Sequence, residues 1–395
     1  RQLRVITEQE PTFYPGWSVL SAQLQGQGRY EEAAETAQTA MRIMPGDPRP
    51  ARLAVDALLL VNEPRRALAA ADEWSRRSRP DSYQADTTMA ALHIRLGSPT
   101  NASQVLKPWV ERISGDPEAA PILVRLLAAV DILRGNEEEA WALVKPRVDR
   151  DPQWLAHAIE ISRDLIQIKA PINASVSWLD RVTNQWRPGT EDTLRIAQAR
   201  MDIATTTGSE SDVLLAIQTL DRLRSMPDQS EWHERGGMLL RIAAERMLGR
   251  SSDAAQHARQ LVAARPDDII ALSMLALTTV ESGGDAQQAL TSATRAVQMA
   301  EQNTRDRSEL TTALDALGQA QLAAGKLSDA ESSFRRLLGL QSDSAMARLG
   351  LAEVFMAQDL PDEARRMVQS SGVEEAQKRS PWIQTRIDRI TQRLP

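Results

Sequence analysis

Residues 314–337 read LDALGQAQLAAGKLSDAESSFRRL, and this stretch decides the fold. Leu314 and Leu317 begin a run of apolar residues at helical spacing. Gly325 then interrupts the pattern, as is typical where a helix ends in a residue that tolerates positive φ. A second run follows, with Ala330 on its apolar side. The stretch therefore predicts two helices joined by a tight turn.

The alanine of the second run recurs along the chain. Alanines in this position lie 34 residues apart in three pairs: Ala33 and Ala67, Ala140 and Ala174, and Ala330 and Ala364. A fixed period near 34 is typical of arrays of helix–turn–helix repeats. Second helices elsewhere are marked by Ala102, Ala216, Ala254 and Ala289. We expect about 22 helices in antiparallel pairs and no sheet, with longer turns where the alanines are more widely spaced.

Residues 15–48 carry the most complete early repeat. One helix is followed by a glycine turn, an acidic first turn and a second helix that ends at prolines. The stretch resembles the tetratricopeptide repeat family in its large, small and turn positions. These positions are Trp17, Leu20, Ser21, Leu24, Gly28, Tyr30, Ala33, Ala37, Ala40 and Pro45. In such a motif, small residues let two helices approach closely and large ones fill the groove between repeats.

The resemblance implies an all-α fold: a single right-handed superhelical solenoid over residues 1–395, with about ten helix hairpins. We divide it into residues 1–13 (the second helix of a truncated repeat), 14–149 (N-terminal repeats), 150–230 (degenerate repeats), 231–372 (C-terminal repeats) and 378–395 (a terminal or capping helix). The sequence begins and ends in mid-repeat, which is expected of a piece cut from a longer array or of an array closed by its last helix.

Composition excludes several classes of protein. The net charge of −6 argues against a sequence-independent nucleic-acid binder, which needs a strongly basic face. The chain has no cysteine, so disulfides and thiolate metal sites are excluded. No apolar run reaches the length of about 18 residues that a membrane span needs. The composition is of bacterial type, and both the cytoplasm and the periplasm remain open.

No motif indicates catalysis. The four histidines, His93, His157, His233 and His257, lack metal-ligand spacing, and no phosphate-binding or nucleophile motif occurs. The acidic run at residues 137–139 falls in the first turn of a second helix, where acids favour the helix dipole. We therefore expect no enzyme activity, no metal and no cofactor.

The resemblance also implies where partners bind. In the family, the first helices line a concave groove, and the positions that point into it map here to Arg52, Asp56, Arg125, Arg163 and Arg195. The Lys and Asn set that clamps peptide carboxylates in some members is absent. An arginine-lined groove favours an acidic protein segment, although arginine is also simply the common basic residue of this chain.

Two functions follow from these observations. The first is a non-catalytic scaffold that binds protein or peptide segments along the groove. The alternative is the helper region of a larger bacterial cell-envelope or exopolysaccharide-export protein. The identity of the partner and the oligomeric state are left open by the sequence.

Overall fold

The chain is helical wherever the structure describes it. The computed structural model describes residues 2–78, 83–114, 121–302 and 307–394. These residues contain 23 helices and no strand. The predicted all-α fold of antiparallel helix pairs is confirmed. The 23 helices compare with the prediction of about 22.

The chain forms two compact units, Arg1–Trp178 (unit 1) and Leu179–Pro395 (unit 2), with one helix running across the boundary. The helices up to that boundary are α1 (Gln2–Gln9), α2 (Tyr14–Gly26), α3 (Tyr30–Ile43), α4 (Pro48–Leu60), α5 (Pro64–Arg77), α6 (Gln84–Arg95), α7 (Pro99–Ser114), α8 (Pro121–Leu133), α9 (Glu137–Arg150), α10 (Trp154–Gln167) and α11 (Ile172–Gln185). Those of unit 2 are α12 (Thr190–Thr207), α13 (Glu210–Arg224), α14 (Glu231–Met247), α15 (Ser251–Ala264), α16 (Ile269–Glu281), α17 (Ala286–Gln302), α18 (Arg307–Ala323), α19 (Leu327–Leu340), α20 (Ala345–Ala357), α21 (Pro361–Val368), α22 (Ser371–Arg379) and α23 (Trp382–Thr391). The five segments drawn from the sequence stay a prediction.

The helices alternate between two roles. We call the even-numbered helices α2–α20 the A helices and the odd-numbered helices α3–α21 the B helices. Within each unit, an A helix packs against the B helix that follows it, and A helices also pack against one another, as α8 does with α10 and α16 with α18. The surface that the A helices of one unit present on the side away from their B helices is called its A face.

A left-handed residue marks each turn from an A helix to its B helix. Ten residues in the described chain have positive φ: Gly28, Asn62, Gly97, Gly135, Lys169, Gly208, Gly249, Gly283, Asp359 and Gly325. A residue in this conformation lets the chain reverse while its amide satisfies a carbonyl at the helix end. The turn is thus specified locally in every repeat, mostly by the residue without a Cβ.

Alanines occupy the closest helix approaches. Ala33 and Ala330 are fully buried, which fits their place in the predicted ladder. Ala174 is an exception, because it is half-buried while the adjacent Ser175 is fully buried. The turn after Lys169 carries one residue more than most others before its B helix begins, and this shifts the buried position by one.

Longer helices fill much of the wide alanine spacing. α12 has 18 residues and α14 and α18 have 17 each, against 13 in α4. The expectation that turns absorb the extra length is therefore wrong at residues 205–212, which are helical except at Gly208 and Ser209, whereas the longer turn expected at residues 302–309 lies partly outside the described residues. An added helical turn lengthens a helix without rotating its buried face, so it preserves the packing of the repeat.

Candidate partner-binding faces

The predicted groove residues of unit 1 lie on three A helices. Arg52 and Asp56 are exposed and lie one turn apart on α4, with the Arg52 guanidinium 5.6 Å from the ring centroid of Trp74. An arginine in this position over an aromatic ring gains a modest cation–π attraction and keeps its hydrogen-bond donors available.

Arg125 and Arg163 lie on neighbouring A helices, and each forms an ion pair with a carboxylate of α10. Arg125 on α8 donates from Nε and Nη2 to Asp164 at 2.7 and 2.5 Å. Arg163 on α10 donates from Nη1 to Glu160 at 3.0 Å, and Arg125 Nη2 lies 3.8 Å from the same carboxylate. Sequence reasoning missed Glu160 and Asp164, although their spacing of three residues before and one after Arg163 was visible. An acidic ligand must compete with them.

Arg195 lies in unit 2, on α12, and it is also paired. Its Nη2 donates to Glu191 at 2.6 Å, and the other oxygen of Glu191 is 2.9 Å from His233 Nε2. The five predicted site residues are thus divided between two units, four in unit 1 and one in unit 2. Their joint role in binding stays a prediction.

The A face of unit 2 carries a feature that the sequence did not indicate. The last helix, α23, lies on it. Trp382, the first residue of α23, donates its indole N–H to the carbonyl of Ala204 at the end of α12, at 2.9 Å. Its ring packs against a cluster from α12, α13 and α14 that includes Met201 and Val213. Trp382 and Ala204 are 178 residues apart in the chain.

One turn later, α23 reaches the last A helix of the unit. Arg386 donates from Nη2 and Nε to the two oxygens of Glu353 on α20, at 2.6 and 3.1 Å. Ile387 and Ile390 are buried in the cluster that contains Leu349 and Phe355 of α20. A bidentate arginine–carboxylate contact fixes both the distance and the orientation of the two side chains, so it sets the register of α23 on α20.

Charges from the intervening A helices surround Arg386. Arg246 of α14 donates to both oxygens of Glu281 of α16, at 2.6 and 2.8 Å. Burial alone would lower the pKa of Arg386, but Glu353, Asp315 and Glu281 raise it above the usual arginine value. Burial raises the pKa of Asp315 on α18, and the attraction of Arg386 and Arg246 opposes that rise. The guanidinium of α23 therefore lies among carboxylates from three A helices.

A cavity of about 440 Å³ lies beside α23. Side chains from α16, α18, α20 and α23 line it, among them Gln319, Leu322, Met356 and Ile390. Gln319 Nε2 and Asp315 Oδ1, one turn apart on α18, are buried without a hydrogen-bond partner among the described residues. Buried polar atoms are normally satisfied, so these two atoms are exceptions that α23 leaves without a hydrogen bond.

The described residues contain no cluster of three or more histidine and acidic side chains placed to hold a metal. Within the same ranges, every helix is too short or too polar to span a bilayer.

Comparison with known proteins adds the family. Residues 316–373, which run from α18 into α22, match the family model described as tetratricopeptide repeat. These residues are tetratricopeptide repeats. The predicted resemblance is thereby confirmed for these residues.

Several solved structures are similar at low sequence identity. Yeast Tom70 is 12% identical, with 97% of this chain and 95% of that chain covered and a TM-score of 0.38. The APC/C hetero-tetramer Cut9–Hcn1 gives 12% identity, 94% and 95% coverage and a TM-score of 0.41. A thermophilic tetratricopeptide protein of Thermus thermophilus gives 18% identity, 52% and 99% coverage and a TM-score of 0.39. No curated protein matches the chain in sequence.

Proposed function

We propose that this tetratricopeptide protein is a non-catalytic scaffold that binds segments of partner proteins along its A faces. One observation carries the proposal: the A face of unit 2 already holds a polypeptide segment, α23, through an aromatic anchor, a paired arginine and buried isoleucines. A surface that holds one helix by side-chain contacts has the shape and polarity to hold a segment of another protein.

Site-specific photo-crosslinking tests this proposal. A photoreactive amino acid at Arg52, exposed on the A helix α4, should crosslink to other polypeptides in cells that express the full chain. The matched control is Arg66, an exposed arginine on the B helix α5, and it should give few crosslinks. Equal crosslinking from the two positions, or none from Arg52, would count against partner binding on the A face.

An acidic partner is the finer part of the proposal, and it concerns unit 1. Because Glu160 and Asp164 hold Arg163 and Arg125, replacing both acids by amides should strengthen the binding of a fluorescent oligoglutamate peptide. Arg125→Ser with Arg163→Ser should weaken it, and salt should weaken it in every variant because these charges are partly exposed. If the affinity for the oligoglutamate peptide stays the same in all these variants, an acidic ligand at this part of the A face is excluded.

The alternative role, as the helper region of a larger cell-envelope or exopolysaccharide-export protein, stays a prediction. Fractionation of the native protein between cytoplasm, periplasm and membranes tests it directly.

A further inference from the structure

We propose that α23 is an internal ligand of the A face of unit 2, and that a partner helix of the same chemistry displaces it. The inference rests on the proposed function and deepens it by stating what the partner looks like. The partner is an amphipathic helix with an aromatic residue, an arginine four residues later and apolar residues five and eight positions after the aromatic one. These are the positions of Trp382, Arg386, Ile387 and Ile390.

The contacts of α23 are those of a bound segment. A helix that merely caps the last repeat needs to contact only its neighbour in the array. Instead, α23 contacts α12 through Trp382 and α20 through Arg386, and these are the first and last A helices of unit 2. Its 10 residues therefore lie along the A face and not only at its end.

Charge complementarity explains why this segment carries an arginine. The A face contributes three carboxylates near Arg386, from Glu281, Asp315 and Glu353, and the guanidinium of Arg246 interacts with Arg386 as well. Arg386 supplies the second positive charge, and its side chain is only 17% exposed. Without α23 this part of the face has an excess of negative charge, so it selects a basic residue over an acidic one at the position of Arg386.

The fit of α23 is incomplete, and this makes displacement possible. Asp315 Oδ1 and Gln319 Nε2 have no hydrogen-bond partner among the described residues, and the cavity beside α23 opens next to Gln319. A competing helix that offers a donor to Asp315 and an acceptor to Gln319 would satisfy atoms that α23 leaves unpaired. Because α23 is tethered, it competes at a high effective concentration, and a free segment binds the intact chain weakly.

The test uses the full chain and a fluorescent peptide of residues 380–394, SPWIQTRIDRITQRL, followed by anisotropy. The variant Trp382→Ala with Arg386→Ala loosens the tethered helix but leaves the face intact. We expect this variant to bind the peptide at least tenfold more tightly than the wild-type chain. Far-UV circular dichroism and thermal unfolding should show that the variant stays folded.

A charge reversal identifies the site. Adding Glu353→Arg to the loosened variant should weaken peptide binding at least tenfold, and a peptide with Glu in place of Arg386 should restore it. The matched control is Asp329→Lys, a change at an exposed acid on the B helix α19, which should leave binding unchanged.

Each outcome bears on the inference separately from the proposed function. Equal binding to wild-type and loosened chains, no binding to either, or no response to Glu353→Arg would overturn the internal-ligand inference. The proposed function would survive those results if the Arg52 position still crosslinks to partners. If the peptide binds as expected but Arg52 gives no crosslinks, the scaffold proposal fails for unit 1 and the site under α23 stands.

Discussion

The A faces of the two units are built from the same kind of helix pair, but their charges are balanced in different ways. In unit 1, Arg125 and Arg163 are paired with carboxylates of α10, one A helix away or on the same helix. In unit 2, the carboxylate of Glu353 is paired with Arg386, which comes from a helix outside the A and B pairs. The repeat fixes the architecture of a face, whereas its net charge and its accessibility depend on single residues and on distant segments.

The largest expected effect concerns what the two units share. Ala330→Trp in unit 2 and Ala33→Trp in unit 1 should each lower the free energy of unfolding by about 3 kcal/mol, because both alanines are fully buried between helices and overpacking forces the backbones apart. Denaturant unfolding measures the loss. A melting temperature like that of wild type in either variant would show that the helix approach at that alanine is not close.

The second prediction separates the units. Trp382→Ala should lower the free energy of unfolding by about 2 kcal/mol. This is less than the loss expected for a fully buried tryptophan, because the ring of Trp382 is only partly buried. Hydrogen exchange should rise in α23 and also around Met201 and Ala204 in α12, with no change in unit 1. Trp232→Ala, a change at a 57% exposed tryptophan of α14, is the control and should be nearly neutral. Faster exchange in α23 alone would mean that α23 does not stabilise α12.

Most of the fold could be predicted from the sequence because it depends on short-range patterns. The 34-residue period, the glycine turns and the buried alanines all lie within one repeat or between neighbours, and Ala33 and Ala330 lie where the pattern placed them. The misplaced landmark at Ala174 has a local cause, a turn with one more residue than most others. A period alone does not show such a shift, since the residues on either side of it still read as helix.

The charges of the A faces were harder to predict. The sequence predicts that Arg125, Arg163 and Arg195 are groove residues, but the carboxylates that pair with them decide whether their guanidinium groups are available to a partner. For Arg163 and Arg195 that signal was visible, since Glu160 and Glu191 are within four residues on the same helix. The contact of Trp382 with Ala204 left no such signal. A contact between residues 178 apart depends on the packing of all the helices between them, which no short window of sequence specifies.

The third prediction compares one ion pair from each face. Glu353→Ala should lower the free energy of unfolding by about 2 kcal/mol and Asp164→Ala by about 1 kcal/mol. Both pairs are partly exposed, but Arg386 is the more buried of the two arginines, at 17% against 26% exposure, so it loses more when its partner is removed. A double-mutant cycle should also couple Glu353→Ala to Trp382→Ala, since both loosen α23. If Asp164→Ala lowers the free energy of unfolding as much as Glu353→Ala or more, the ion pair of unit 2 is not the stronger of the two.

The smallest expected effect is the most specific to the A face of unit 2, which α23 covers. Because burial raises the pKa of Asp315, the folded protein favours its protonated form. The stability that comes from this group is therefore fully present below the unfolded value of 3.8 and is lost as the pH rises through the folded pKa. At pH 7 the wild-type chain loses stability by holding an ionised, buried carboxylate at Asp315, and Asp315→Asn does not. The variant should therefore be as stable as wild type or more stable by less than about 1 kcal/mol. The difference should shrink as the pH falls towards 4.

Asp268 supplies a control of opposite sign. Although burial opposes it, hydrogen bonds from Arg235 and from backbone amides at the start of α16 lower the pKa of Asp268. Its contribution to stability is present above 3.8 and is lost as the pH falls through the lower folded value, so Asp268→Asn should be destabilising at pH 7 and less so in acid. Thermal unfolding of both variants from pH 7 down to about pH 2 should give slopes of opposite sign relative to wild type, above pH 3.8 for Asp315→Asn and below pH 3.8 for Asp268→Asn. If Trp382→Ala removes the pH-dependent difference at Asp315 but leaves that at Asp268, it is the helix α23 that buries Asp315. Unchanged slopes at both sites would mean that the A helices alone desolvate Asp315 and that the two faces differ less than their contacts indicate.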